Sequence, residues 1–251
     1  MTTNEKKLHA VVTGGGSGIG AAIAQSLVAA GARVTLMGRN VERLQAEAAR
    51  IGSAVQQVDV ADEASVRAAF AAVGPVDILI NNAGMVESAP LKSTSLDQWN
   101  RTLQVNLTGT FLCSRAVVPG MSERGFGRIV NVASTAAQKG YAYVAAYCAA
   151  KHGVLGLTRA LALELATKGV TVNAVCPGYT ETAIVEEALT TIMAKTGRSR
   201  DEALKSLTGA NPQGRLIQPA EVAAAVLHLV GREAGSITGQ AISISGGEVM
   251  S

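Results

Sequence analysis

The stretch LHAVVTGGGSGIGAAIAQSLVAA, residues 8–30, decides the fold of this 251-residue chain. It opens with a short, mostly apolar run over residues 8–13, and five glycines follow within residues 14–20. An Ala-rich segment with helical spacing then occupies residues 21–30 and stops at Gly31. This order predicts a strand, a tight glycine-rich turn and a helix.

The same alternation of strand and helix continues along the chain. Further apolar strands are predicted at residues 33–37, 55–60, 77–80, 127–133, 170–176 and 241–245. Helices are predicted at residues 41–51, 63–73, 96–123, 184–195, 200–207 and 219–230, with another that ends near residue 167. The strands lack a clean polar alternation, as expected when helices cover both faces of a parallel sheet.

No linker, repeat or change of composition divides the chain, so residues 1–251 are predicted to form one domain. Right-handed crossovers then give an α/β Rossmann fold, a doubly wound, seven-stranded parallel sheet with helices on both faces. Such sheets bind ligands at the carboxyl ends of their strands. The irregular polar segment at about residues 182–217 is predicted to be an insertion that covers the substrate.

The composition indicates which kinds of molecule the protein binds. Hydrophobic residues make up 48% of the chain and charged residues 16%, which excludes a disordered protein. A formal charge of +3 without a basic run predicts neither nucleic-acid nor membrane binding and favours a small-molecule substrate. The three cysteines are widely spaced, and no long apolar run opens the chain, so we expect a cytoplasmic protein without a metal site.

The glycine-rich turn has the properties of a dinucleotide site. Gly14 would allow the tight turn, Gly18 would let the backbone approach a pyrophosphate, and Gly20 would let the helix pack against the strand. The helix N-terminus would offer N–H groups to the phosphates, with Ser17 and Ile19 as neighbouring contacts. The spacing is G-x-x-x-G-x-G rather than the usual G-x-G-x-x-G.

The end of the second strand bears on the choice of cofactor. An acidic residue there would bind the ribose 2′-hydroxyl of NAD, but the sequence at residues 37–40 is MGRN. Arg39 can pair with a 2′-phosphate, so NADP(H) is preferred and NAD(H) remains possible. The alternative for Arg39 is a solvated residue that opens a helix. Asp59, with Val60, is predicted to contact adenine; its alternative role is to cap the next helix.

A second chemical signal lies in STAAQKGYAYVAAYCAAK, residues 134–151. Tyr147 and Lys151 are four residues apart, so in a helix they share one face. A neighbouring ammonium favours the phenolate, and it would draw the phenol pKa down from about 10 toward neutrality. Standing alone, such a pair is more often structural. However, residues 81–84, Ser134 and residues 177–178 each follow a predicted strand, so all meet at one edge of the sheet.

Together these residues resemble the short-chain dehydrogenase/reductase family over essentially the whole chain. T-G-x-x-x-G-I-G occupies residues 13–20 and N-N-A-G residues 81–84, and the serine, Y-x-x-x-K and P-G motifs follow in order. The resemblance implies a catalytic tetrad of Asn106, Ser134, Tyr147 and Lys151.

The resemblance also implies a role for each member of the tetrad. Tyr147 exchanges a proton with the substrate oxygen, and Ser134 hydrogen-bonds the same oxygen. Lys151 lowers the pKa of the phenol and holds the nicotinamide ribose. Asn106 bends its helix and holds a water that links Lys151 to solvent.

Further contacts with the cofactor are implied by the same resemblance. Thr180 replaces a β-branched apolar residue of the family pattern, and Thr182 would contact the carboxamide or the pyrophosphate. The whole set comprises Asn82, Ala83, Gly84, Tyr147, Lys151, Pro177, Gly178, Thr180 and Thr182.

Ser134, Tyr141 and Tyr147 are the candidate substrate contacts. Tyr141 and Tyr143 have no Lys four residues later, so neither is expected to be the acid. Tyr141 either lines the substrate pocket or has a packing or surface role. Substrate choice is expected to lie with residues 85–95, residues 139–144 and the segment after Thr182.

Three functions remain open on the sequence. The first is an NADP(H)-dependent reductase of a ketone, since residues 211–222 look similar to 3-oxoacyl reductases, 3-hydroxyacyl dehydrogenases and polyketide ketoreductases. The second is an NAD-dependent dehydrogenase of a secondary alcohol. The third is a dinucleotide-binding sensor or scaffold without turnover, which a complete tetrad argues against. Family members are commonly dimers or tetramers, so a homo-oligomer is implied.

Overall fold

The computed structural model describes residues 7–250, and seven strands in this range form one parallel sheet. The predicted doubly wound sheet is confirmed, with strand order β3-β2-β1-β4-β5-β6-β7. The strands are β1 (His9–Thr13), β2 (Arg33–Gly38), β3 (Ala54–Gln57), β4 (Ile78–Asn81), β5 (Gly127–Val132), β6 (Val170–Pro177) and β7 (Ala241–Ile244). The chain order reverses between β1 and β4, which creates the crevice where such folds bind ligands.

Nine α-helices in the described range surround the sheet. They are α1 (Gly18–Ala29), α2 (Val41–Ile51), α3 (Glu63–Val73), α4 (Leu96–Leu103), α5 (Gly109–Arg124), α6 (Ala145–Leu165), α7 (Ala183–Thr196), α8 (Arg200–Thr208) and α9 (Pro219–Val230). Helices α1, α2 and α9 bury their apolar side chains with one face of the sheet, and α3, α5 and α6 with the other. Within β1, Ala10 and Val12 face the first layer, whereas Val11 faces the second. Both faces are therefore covered, which explains the apolar strands.

The predicted helix at residues 96–123 is interrupted in the structure. Helix α4 ends at Leu103, residues Gln104–Thr108 form a π-helical turn, and α5 begins at Gly109. Inside this turn the Asn106 amide donates to the Thr102 carbonyl at 2.9 Å. A side chain bonded to the backbone of its own helix in this way accounts for the local widening.

The third strand ends earlier than predicted, at Gln57 rather than residue 60. The Val58 amide still donates to the Gly38 carbonyl at 3.0 Å. Beyond it, the Asp59 carboxylate accepts from the Ala61 amide at 3.0 Å, so a local turn replaces the ladder.

The segment between β6 and α9 contains a small helical unit. Helices α7 and α8 share their own apolar cluster of Val185, Leu189, Ala203 and Leu207. A single parallel bridge between Thr180 and Ile217 closes the base of this unit. Across residues 7–250, none of the helices is both long enough and apolar enough to cross a membrane.

The packing of α1 against the end of β1 predicts a large effect of a small substitution. A Cβ on Gly20 would lie 2.3 Å from the Gly14 carbonyl oxygen and 2.5 Å from the Asn82 amide nitrogen. Gly20→Ala should therefore lower the free energy of unfolding by about 1–3 kcal/mol, measured by urea denaturation. Gln25→Ala on the exposed side of the same helix should change it by less than about 0.5 kcal/mol. Equal small effects of the two substitutions would contradict this packing.

Candidate active site

The carboxyl ends of β1 and β4 are joined by hydrogen bonds at the centre of the crevice. The Thr13 hydroxyl accepts from the backbone amides of Asn82 and Ala83, each at 3.0 Å. In return, the Asn82 side-chain amide donates to the carbonyls of Thr13 at 3.0 Å and Gly14 at 3.1 Å. The glycine-rich turn and residues 81–84 therefore form one rigid surface.

The glycine-rich turn presents the N-terminus of α1 to the crevice. Gly14 and Gly18 have φ values of 64° and 54°, a conformation that favours glycine. Ser17 precedes α1 with its side chain making no cap hydrogen bond, so the first amides of the helix remain available to an anion. A Cβ on Gly18 would meet only the Thr182 side chain, at 3.1 Å. This backbone cradle fits the pyrophosphate of a dinucleotide.

Helix α6 places Tyr147 and Lys151 beside the end of β5. A buried polar chain anchors the helix to the sheet: Asn81 donates to Asn131 at 2.9 Å, and Asn131 donates to Thr158 of α6 at 2.9 Å. The Lys151 ammonium donates to the Val132 carbonyl at 2.8 Å and lies 5.6 Å from the centre of the Tyr147 ring. The lysine is therefore fixed between the strand end and the phenol.

Ser134 lies two residues beyond the end of β5. Its hydroxyl oxygen accepts from the Ala136 amide at 3.1 Å, within the 3₁₀ turn Thr135–Ala137. That bond uses a lone pair and leaves the hydroxyl proton available for donation. The serine also lies near enough to the Tyr147 phenol to lower its pKa. A substrate oxygen placed between the two side chains would accept from both.

Burial controls the protonation of the Tyr147–Lys151 pair. Desolvation raises the pKa of Tyr147 to about 12, although the residue is partly exposed to the cavity that it lines. The expected lowering by Lys151 is therefore wrong for this structure, because the cost of burying a phenolate exceeds the help from its neighbours. The same burial lowers the pKa of Lys151 to about 8. At neutral pH the phenol holds its proton, as a proton donor requires.

The side chain of Asn106 is completely buried in the π-helical turn. Its amide donates to the Met85 carbonyl at 2.8 Å, and its oxygen accepts from the Met85 amide at 3.2 Å. These bonds fix the start of the loop at residues 85–95. A Cβ on Gly84 would lie 2.8 Å from the Asn106 oxygen and 3.8 Å from the Lys151 nitrogen, so glycine permits their close approach.

One open cavity of about 370 Å³ lies along this edge of the sheet. Most residues predicted to be catalytic or to contact cofactor or substrate line it. They are Gly14, Ser17, Gly18, Ile19, Asn82, Ala83, Gly84, Asn106, Ser134, Tyr141, Tyr147, Lys151, Pro177, Gly178, Thr180 and Thr182.

Four predicted cofactor residues lie outside the lining of this cavity. Gly20 packs against the turn, as described above, and Val60 is buried against Gly109. Arg39 is exposed at the end of β2, and its carbonyl accepts from Gln57 at 3.2 Å. The Asp59 carboxylate accepts from the Ala61 amide in a local turn. Its alternative role, the cap of α3, belongs instead to Asp62.

The sequence analysis missed a second cation near the glycine turn. The exposed Arg43 follows Asn40, whose side chain caps α2 by accepting from the Arg43 amide at 2.9 Å. A Cβ on Gly16 would lie 3.3 Å from the backbone of Arg43, so α2 begins against the turn. An arginine four residues after Arg39, in the first turn of α2, was the available signal.

The outer part of the cavity is aromatic and apolar. Tyr141 and Tyr179 line it with their ring centres 6.3 Å apart and their planes nearly perpendicular. Met85, Val86 and Ile184 contribute apolar surface that the sequence had located only to segments. Tyr143 lies outside the lining, has a φ of 69°, and accepts through its carbonyl from the Ala89 amide at 2.8 Å. That bond joins the two loops that border the cavity.

Between residues 7 and 250, no three His, Cys, Asp or Glu side chains are arranged to hold an ion.

Comparison with known proteins identifies relatives over nearly the full length of the chain. A family described as short chain dehydrogenase matches residues 8–192. The acetoacetyl-CoA reductase of Shinella zoogloeoides is 44% identical over 244 residues, which cover 95% of this chain and 97% of that relative. The D-threitol dehydrogenase of Mycolicibacterium smegmatis is 42% identical over 247 residues, which cover 95% and 91%.

A solved structure is similar in fold as well as sequence. It is a variant of actinorhodin polyketide ketoreductase crystallised with NADPH. Its TM-score to this chain is 0.93 at 40% identity, with 96% of this chain and 97% of that chain covered. The overall fold therefore has a close structural counterpart.

The burial of Lys151 predicts a pH dependence of stability. Its folded pKa of about 8 lies below the ordinary 10.5, so between these values the unfolded chain binds more protons and stability rises with pH. From pH 8 to pH 10, the unfolding free energy of the wild type should gain about 2 kcal/mol relative to Lys151→Met. Lys168→Met, at an exposed position, should follow the wild type. Parallel pH profiles for wild type and Lys151→Met would contradict the shift.

Proposed function

The chain belongs to the short-chain dehydrogenase family, and from that premise we propose that it is an NADP(H)-dependent reductase of 3-oxoacyl thioesters. At the coarser level, it is an oxidoreductase that transfers hydride between a nicotinamide dinucleotide and a ketone or secondary alcohol. The observation that carries the proposal is that Tyr147 and Ser134 line one open cavity, where burial raises the pKa of the phenol to about 12.

In the proposed reaction, the hydroxyl groups of Tyr147 and Ser134 both act on the substrate oxygen. In reduction, the Tyr147 hydroxyl donates its proton to the substrate oxygen, and in oxidation it takes the proton back. The Ser134 hydroxyl donates to the same oxygen and stabilises the charge that develops on it. When bound, the nicotinamide ring supplies or accepts the hydride.

Lys151 and Asn106 support this proton transfer. The Lys151 ammonium, held by the Val132 carbonyl, has further N–H donors on the cavity side for ribose hydroxyls. With a pKa of about 8, it can pass a proton toward Tyr147 near neutral pH. Asn106 is proposed to hold the water of this relay, in addition to fixing Met85.

The proposed cofactor contacts follow the lining of the cavity. The pyrophosphate would bind the turn at Gly14, Ser17, Gly18 and Ile19, and the nicotinamide would lie near residues 82–84, 177–178, Thr180 and Thr182. Arg39 and Arg43 would bind the 2′-phosphate that distinguishes NADP from NAD. The similar ketoreductase crystallised with NADPH supports this preference.

Two observations support thioester substrates. The acetoacetyl-CoA reductase relative acts, by its name, on an acyl thioester. The cavity is open to the surface beside α7, so a long carrier arm can remain outside while the ketone enters. The D-threitol dehydrogenase relative favours a second candidate, the NAD-linked oxidation of a secondary alcohol by the same residues.

Three further properties are proposed for the whole protein. Residues 1–251 would act as one domain, with residues 182–217 as the substrate cover. The three free cysteines support a reducing, cytoplasmic location. The exposed apolar side chains of Phe111 and Leu163 support assembly into a dimer or tetramer.

Tyr147→Phe should lower kcat by roughly a hundredfold to ten-thousandfold, because the ring remains but the proton donor is lost. The measurement is NADPH oxidation with acetoacetyl-CoA, alongside NADPH binding by fluorescence titration, which should change little. Tyr143→Phe is the matched control, since that ring is 64% exposed and lies outside the cavity lining. Full activity of Tyr147→Phe would contradict the mechanism.

Arg39→Ala should weaken NADPH binding by roughly tenfold or more and leave NADH binding nearly unchanged, because only NADPH carries the 2′-phosphate. Dissociation constants for both cofactors measure this difference. Arg232→Ala removes the same charge beside Phe126, close to the start of β5 and away from the strand ends, and should affect neither. An equal loss for NADPH and NADH would remove the basis of the cofactor preference.

A further inference from the structure

A buried carboxylate near the end of the chain lies outside the machinery described so far. The Glu248 side chain is only 2% exposed. One of its oxygens accepts from the Lys139 ammonium at 2.8 Å and from the Tyr141 hydroxyl at 2.5 Å. Both partners belong to the loop that follows Ser134, so the end of the chain reaches the substrate side of the cavity.

The backbone around Glu248 is tightly fixed. Gly246 and Gly247 have φ values of 64° and 94°, and Cβ atoms on them would contact Asn211 and Pro212 at the base of the helical unit. The Glu248 amide donates to the Ser245 carbonyl at 3.2 Å. The backbone conformation therefore fixes the position of the Glu248 carboxylate.

The bond to Glu248 determines what Tyr141 presents to a substrate. Because the Tyr141 hydroxyl donates to the carboxylate, the Thr135 hydroxyl must be the donor in its own 2.7 Å bond to Tyr141. The phenol oxygen thus accepts one hydrogen bond and donates another. The aromatic ring, rather than a free hydroxyl, is then the surface that Tyr141 offers to the cavity. The Lys139 ammonium lies 5.0 Å from the ring centre and balances the carboxylate.

The held ring forms one wall of the outer cavity. Its nearly perpendicular contact with Tyr179 joins the loop after β5 to the segment after β6. Rotation of Tyr141 would change the width of the cavity without touching Tyr147 or Lys151. Because the Tyr141 ring is already held in place, its conformational entropy is not lost when a substrate binds, which favours binding.

We propose that Glu248 is a positioning residue that holds Tyr141 as the wall against which the uncharged arm of the ketone packs. This inference rests on the proposed function, because it concerns the substrate side of the same site. Glu248 makes its hydrogen bonds to Lys139 and Tyr141, so we expect it to act on the substrate through Tyr141. Its second oxygen lies near Gly178, where a Cβ would be 3.2 Å away. An uncharged substituent of the ketone fits against the Tyr141 ring, because the phenol oxygen is already hydrogen-bonded and the charges of Lys139 and Glu248 are already paired.

The test measures KM, kcat and NADPH dissociation constants for Glu248→Ala, Glu248→Gln, Tyr141→Phe and the double variant Tyr141→Phe/Glu248→Ala. Glu248→Ala and Tyr141→Phe should each raise KM for acetoacetyl-CoA about tenfold, with kcat and NADPH binding within about twofold of wild type. Glu248→Gln retains an acceptor for the phenol and should restore most of the KM. The double variant should match the single variants, because both remove one interaction.

The outcomes separate this inference from the proposed function. If the wild type oxidises no NADPH with any 3-oxoacyl thioester or simpler ketone, the proposed function fails. If the wild type turns over but Glu248→Ala and Tyr141→Phe leave KM unchanged, the positioning role is wrong. Additive KM effects in the double variant, or a parallel loss of NADPH binding, would also overturn it. Glu233→Ala, at an exposed acid elsewhere, should behave as wild type.

Discussion

The hydrogen bonds between Thr13 and the Asn82–Ala83 backbone are the constraint on which the site depends. They join the ends of β1 and β4 at the point where the sheet changes winding direction, and Gly20 packs α1 onto the same Asn82 side chain. The phosphate cradle therefore has a fixed position relative to Gly84, Asn106 and Lys151. Hydride transfer needs the cofactor and the proton donor at a set distance, and this junction supplies that geometry.

Burial, rather than charge pairing, sets the protonation of the site. The pKa of Tyr147 rises to about 12 and that of Lys151 falls to about 8, so each shift favours the neutral form of its own group. Desolvation explains both directions, since it penalises phenolate and ammonium alike. The same low-polarity surroundings strengthen a hydrogen bond from Tyr147 or Ser134 to a developing oxyanion. The outer cavity is built differently: Tyr141 is held by a carboxylate and by an edge-to-face contact with Tyr179.

The sequence predicted the parts of this structure that depend on local pattern. Residues 8–30 gave strand, turn and helix because apolar periodicity and glycines act locally, and the bounds of α2, α3 and α9 were correct. A bend at Asn106 was implied only by resemblance, and the contact of its side chain with the distant Met85 was not predicted. The pKa of Tyr147 was predicted in the wrong direction, because the spacing to Lys151 carries no information on burial. Glu248 was missed, as it lies 107 residues from Tyr141 in the chain.

The central claim is direct hydride transfer from a dinucleotide to a carbonyl carbon, with the proton supplied by Tyr147. The most direct measurement is a single turnover with NADPH deuterated at the transferring position of nicotinamide C4, followed by mass spectrometry of the product. We expect one deuterium on the carbinol carbon and exchangeable hydrogen on the oxygen. A product whose carbinol carbon carries no deuterium would contradict the account.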